Sequence, residues 1–186
     1  MRWIWIDRFV EFQSGKSAKA LKNLSSAEDH FRDHFPGYPV MPAPLIIEGL
    51  AQTGGILVGE ANQFQEKVVL AKIPKARFDR EMIAGEQLLY DVEILMLRPE
   101  GASVLGKVFV DGVQTAEVEI FFAHLDQSRS KQIFGDHNFV FSGELKHLLG
   151  LAKVAAQSGT ALAKGKAIPV YFVFARAFKL LKRRVW

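Results

Sequence analysis

The chain has no cysteine, which excludes disulfides and thiolate metal sites and suits a reducing, cytoplasmic setting. Long hydrophobic runs are missing as well, and nothing approaches the roughly 18 to 20 apolar residues of a membrane-spanning helix. The opening apolar stretch breaks at Asp7, too soon for a signal peptide. No Gly-x-Ser-x-Gly elbow occurs, so a serine hydrolase has no support. Gly15-Lys16-Ser17 has the ending of a phosphate-binding loop, but Val10 stands where that loop needs its first glycine. His30 and His34 are four apart, yet Pro36 and the turn residues around it stop a helix there, and no metal site is expected.

What is present is enough apolar material for a full core: 49% of 186 residues are hydrophobic. The formal charge of +4 hides an asymmetry. Residues 1–126 carry 13 Lys+Arg against 18 Asp+Glu, net −5, while residues 127–186 carry 11 against 2, net +9. The run Asp126-Gln127-Ser128-Arg129-Ser130-Lys131 reads as a linker between the two parts. A basic tail of this kind is either a solvated face or a contact for something acidic.

Residues 2–12 read as a largely buried strand and Ala18–Leu24 as a second. A long helix is expected over 44–61, opened by Pro44, whose missing N–H costs nothing in a first turn. Its apolar residues lie all round the axis, so it should be enclosed, and Gly49, Gly54 and Gly55 suggest close packing against a curved sheet. Further strands are expected at Val68–Arg77, Leu88–Leu97, Ser103–Val110 and Thr115–Ala123, the last two joined by an Asp111-Gly112 hairpin turn. Beyond the linker, 144–164 fits an amphipathic helix and 170–186 forms a second segment ending in Lys182-Arg183-Arg184-Val185-Trp186.

The stretch His34-Phe35-Pro36-Gly37-Tyr38-Pro39-Val40-Met41-Pro42 puts an imidazole on a proline-stiffened loop, and Glu48 and Gln52 follow on one face of the buried helix. An imidazole and a buried carboxyl are what acid–base chemistry needs. With Leu21-Lys22-Asn23, Ala71-Lys72-Ile73-Pro74-Lys75-Ala76-Arg77-Phe78 and Gly85-Glu86-Gln87-Leu88 in the same order, residues 1–124 resemble 3-hydroxyacyl-(acyl-carrier-protein) dehydratases of the FabZ type.

The resemblance implies an α+β hot-dog fold, an antiparallel sheet wrapped around a central helix, over residues 1–126; residues 127–186 have no counterpart in it and read from their own pattern as a basic, helical C-terminal extension. It implies dehydration of a 3-hydroxyacyl thioester to the trans-2-enoyl thioester in lipid biosynthesis, without metal or redox cofactor, on substrates carried by the phosphopantetheine of acyl carrier protein. His34 would remove the C2 proton, its ring held by the Val40 carbonyl, and Glu48 would protonate the departing hydroxyl. Gln52 would orient Glu48, and burial is expected to keep Glu48 protonated against the pull of the helix N-terminus.

A backbone N–H at Ala43 would hold the thioester oxygen; the family usually has glycine there, and Pro44 removes the next donor. Asp33 is a second departure from a common glycine. Phe78 would line the acyl path, and Lys72, Lys75, Arg77 and Arg80 would dock the acidic carrier. The family builds each site across a homodimer, His from one subunit and Glu from its partner, and often joins dimers into a hexamer, a trimer of dimers. No nucleic acid partner is implied.

The rival readings are a hot-dog thioesterase or coenzyme A-linked enoyl hydratase, and a noncatalytic protein that grips acyl carriers. Related enzymes that also isomerise the product carry aspartate where this chain has Glu48, which speaks against isomerisation. The helix over 144–164 is expected to pack on the core or on a neighbouring subunit, and the segment 170–186 is left open between packing, peripheral membrane contact and carrier docking.

Overall fold

The computed structural model describes residues 4–125. The linker, the amphipathic helix over 144–164 and the segment 170–186 expected from sequence lie outside the described residues. Six strands, β1 (Arg8–Gln13), β2 (Ser17–Asn23), β3 (Lys67–Phe78), β4 (Gln87–Arg98), β5 (Gly101–Val110) and β6 (Val113–Leu125), form one sheet in the order β1-β2-β4-β5-β6-β3. Every neighbouring pair is antiparallel. A short helix α1 (Asp29–Asp33) and a long one, α2 (Ala43–Ala61), lie between β2 and β3. The chain therefore crosses from one side of the sheet to its far edge through α2.

The inward positions of β5 and β6 alternate cleanly, with Ala102, Val104, Val108, Val118, Ile120 and Phe122 all buried. They close over α2, whose Leu50, Ile56 and Leu57 are fully buried and contribute about 1.5–3 kcal/mol each. The helix sits so close that a Cβ on Gly49 would meet the ring of Tyr90, and one on Gly54 would crowd Val92, Val104 and Phe122 at 3.2–3.3 Å. Close packing explains these two helix glycines. Asp111 and Gly112 have φ of 51° and 79° between paired Val110 and Val113, the two-residue hairpin the sequence indicates.

The N-terminus departs from expectation. Of the strand expected over 2–12, residues 2 and 3 lie outside the described residues, residues 4–7 carry no strand, and β1 begins at Arg8 with only Phe9 buried within it. Trp5 and Ile6 enter the core without a ladder, because Trp5 spends its N–H on the Gln52 side chain. Asp7 then turns the chain, taking hydrogen bonds from the Asn23 backbone N–H at 2.7 Å and its side-chain amide at 2.9 Å. The helix α1 was not foreseen either; five residues are too few for a periodic pattern to declare itself.

Candidate active site

His34 caps the C-terminal end of α1, its N–H bonded to the His30 carbonyl at 2.9 Å. The chain then folds into a tight loop in which Phe35 and Tyr38 exchange backbone hydrogen bonds, each 2.9 Å, around Pro36 and Gly37. Gly37 sits at φ 82°, a conformation that suits a residue without a Cβ. Val40 closes the loop by donating its N–H to the His34 carbonyl at 2.7 Å. Met41 N–H bonds Met82 O at 2.8 Å, and Val40 bridges Ile83, so the loop's far end is zipped to the segment after β3.

Between these walls lies a cleft of about 520 Å³. It brings together His34, Val40, Ala43, Phe78 and Arg80 of the residues singled out from sequence. His34 is exposed at its surface. At the helix start, Ala43 keeps its N–H, Pro44 has none, and Leu45 N–H is already bonded to Pro42 O at 2.9 Å. Among these three residues that leaves the Ala43 N–H as the donor available at the cleft.

Glu48 does not line this cleft. It is fully buried on α2, where its Oε1 accepts a hydrogen bond from Gln52 Nε2 at 3.1 Å. Gln52, also fully buried, is itself oriented: its Oε1 accepts the Trp5 backbone N–H at 2.8 Å. With the amide oxygen so engaged, the nitrogen faces Glu48. The ring of Trp5 meets the ring of His30 edge-on at 5.4 Å. One N-terminal residue thus touches both the support of Glu48 and the helix that ends at His34.

His30 and His34 do not converge. His30 turns inward against Trp5 and Phe31, and its two ring nitrogens are buried with no hydrogen-bond partner among the described residues. Burial holds its imidazole below the ordinary value, with Glu28 opposing and Lys22 assisting. No cluster of three metal-ligating side chains occurs among the described residues. Asp33 is exposed and accepts a hydrogen bond from Arg32 Nε at 3.0 Å.

The basic residues are largely matched by acids. Lys75 pairs with Glu117 at 3.1 Å, Arg77 with Asp79 at 3.3 Å and Arg80 with Glu86 at 2.8 Å. Lys72 has no carboxylate partner among the described residues. A second cleft of about 570 Å³ lies at the C-terminal end of α2, lined by residues including Asn62, Gln65, Glu66 and Arg98. It contains neither His34 nor Glu48.

Sequence reasoning missed Trp5 and Tyr38. Trp5 acts through a backbone N–H, which has no signature in the sequence. Tyr38 donates its hydroxyl to Glu81 Oε2 at 2.6 Å, a contact set by the fold across 43 residues.

Comparison with known proteins completes this picture. A family model described as a FabA-like domain matches residues 3–119. The FabZ 3-hydroxyacyl-[acyl-carrier-protein] dehydratase of Oceanobacillus iheyensis is 43% identical over 122 residues, 65% of this chain and 87% of the relative. That of Pelotomaculum thermopropionicum is 40% identical over the same length and shares. Among solved structures, the dehydratase heterocomplex ApeI:P from Xenorhabdus doucetiae matches with a TM-score of 0.60 at 14% identity, over 72% of this chain and 91% of that one. At that identity the likeness speaks for the fold alone, which is the hot-dog arrangement. By the family match and the identity shared with these relatives, the chain belongs to the FabA-like family and, within it, to the FabZ 3-hydroxyacyl-(acyl-carrier-protein) dehydratases.

Proposed function

We propose that the protein dehydrates 3-hydroxyacyl chains, held as thioesters on acyl carrier protein, to trans-2-enoyl thioesters in fatty-acid biosynthesis. The observation that carries this reading is the pairing of an exposed His34 beside an apolar-walled cleft with a fully buried Glu48 held by Gln52. His34 takes the C2 proton; the C–H electrons form the C2–C3 double bond; the C3–O bond breaks; and Glu48 supplies the proton with which the hydroxyl leaves as water. Hydration state changes and oxidation state does not, so the residues alone suffice for the proton traffic. Glu48's complete burial favours the proton-bearing form an acid requires. On this reading the Val40 carbonyl would take up the His34 ring, which makes no side-chain hydrogen bond among the described residues, and the Ala43 N–H would receive the charge developing on the thioester oxygen.

The two groups do not share a cleft within one chain, and this supports a site made by two copies, His34 from one and Glu48 from the other. His34→Ala and Glu48→Gln should each lower turnover by about a hundredfold or more, the usual contribution of a general base or acid. Both variants should keep the wild-type circular dichroism. Mixing the two inactive variants under conditions that exchange subunits should restore turnover, because each mixed dimer contains one intact site. A mixture as inactive as its components, with exchange verified, would place both groups in the same chain's site. Near-wild-type turnover by either folded variant on its own would overturn the catalytic assignment.

A further inference from the structure

We propose that the Tyr38–Glu81 hydrogen bond is a latch that ties the two walls of the His34 cleft together and sets the bulk of acyl group it admits. The inference rests on the dehydratase reading for the nature of the occupant. One wall is the loop from His34 to Pro44, and the other is the segment Phe78–Met82. At their inner end the walls are joined by main chain, through Met41 N–H to Met82 O and the Val40–Ile83 bridge. At the outer end, among the described residues, the joining contact is the Tyr38 hydroxyl on Glu81 Oε2 at 2.6 Å.

Tyr38 stands on the same tight loop as His34, and its backbone is locked to Phe35 by two hydrogen bonds. A pull on its side chain is therefore transmitted to the residue next to His34. Glu81 also raises the phenol's affinity for its proton, which keeps the hydroxyl a donor. The bond is charge-assisted and shorter than a neutral pair, although it lies at the surface. Removing it frees the tip of the loop while the main-chain links at the inner end persist.

The test compares wild type with Tyr38→Phe, Glu81→Ala, Glu81→Gln and the double variant Tyr38→Phe with Glu81→Ala. Glu81→Gln keeps an acceptor oxygen without the charge and should stay closer to wild type than the other variants. Amide hydrogen exchange at Phe35, Tyr38 and Val40 should accelerate in the other three variants, by the same factor in the double as in each single. Unreactive thioether analogues of 3-hydroxyacyl pantetheine, one straight and one branched near C4, supply the second readout by calorimetry. The ratio of their Kd values should move about threefold or more toward the branched analogue in the same three variants. Unchanged exchange, an unchanged Kd ratio, or additive effects in the double variant would overturn the latch. Turnover of carrier-bound substrate by wild type is measured alongside: its absence sinks the dehydratase reading, whereas exchange at the loop still decides the latch.

Discussion

At the scale of single residues, His30 makes a consequence of burial measurable. Its imidazole is held below the ordinary value of 6.5 mainly by desolvation. Below that pH the unfolded chain binds a proton there that the folded chain does not, so folding loses stability as pH falls from 6.5 toward the folded value. His30→Phe, which keeps a ring against Trp5 and Phe31, is expected to narrow the drop in urea midpoint between about pH 7.5 and pH 5.5. An equal drop in both proteins would sink the attribution. The residues of the site divide by how they are written in the sequence. His34, Glu48 and Gln52 could be singled out in the sequence because imidazole, carboxyl and amide are the groups proton transfer calls for, and the four-residue spacing of Glu48 and Gln52 sets one helix face. Trp5 was not, because the group it contributes is a backbone N–H that every residue but proline owns. Tyr38 was not, because its partner lies on another element.

Among elements, α2 was legible almost to the residue, since its apolar run, its opening proline and its buried carboxyl all agree. The strand boundaries at β4, β5 and β6 were close for the same reason: period-two alternation and a turn dipeptide point one way. The start of the N-terminal strand was misplaced because apolar residues 4–6 look the same whether they enter the core on a ladder or on a bend. Glycine separates two kinds of close approach. Alanine at Gly49 gains about 0.5–1 kcal/mol of helix propensity but must displace the fully buried Tyr90 ring, and overpacking of that kind costs about 1–3 kcal/mol. Crowding should win, so Gly49→Ala is expected to lower the urea midpoint. At Gly106 the nearest atom is Leu50 Cδ2, 2.8 Å from an added Cβ, the end of a side chain that can rotate. Gly106→Ala should therefore cost less, and an equal or larger loss there would show that the sheet tolerates less movement than the helix.

For the whole molecule, the order of elements followed from pattern and the fold class from the family resemblance, whereas the electrostatic reading needed pairs that only three dimensions supply. Lys75 and Arg77 read as a bare cationic patch in the sequence, yet each faces a carboxylate. Changing both to glutamate adds repulsion between neighbours as well as losing attraction for an acidic carrier. Turnover of carrier-bound substrate is expected to fall more than turnover of small pantetheine thioesters, and high salt should shrink the difference. Equal losses on both substrates would point to the cleft or the fold instead. The path of β3 along the rim of the sheet has a further consequence, for keeping the folded protein in solution. An outer strand of 12 residues is a ready template onto which a foreign strand can add. Here the template is broken: Pro74 offers no N–H and falls within the register shift between Lys72 and Lys75, while the lysines on either side carry charge. A strand laid along this rim can zip only in short pieces, so open-ended stacking into fibres is starved of the long continuous ladder it requires.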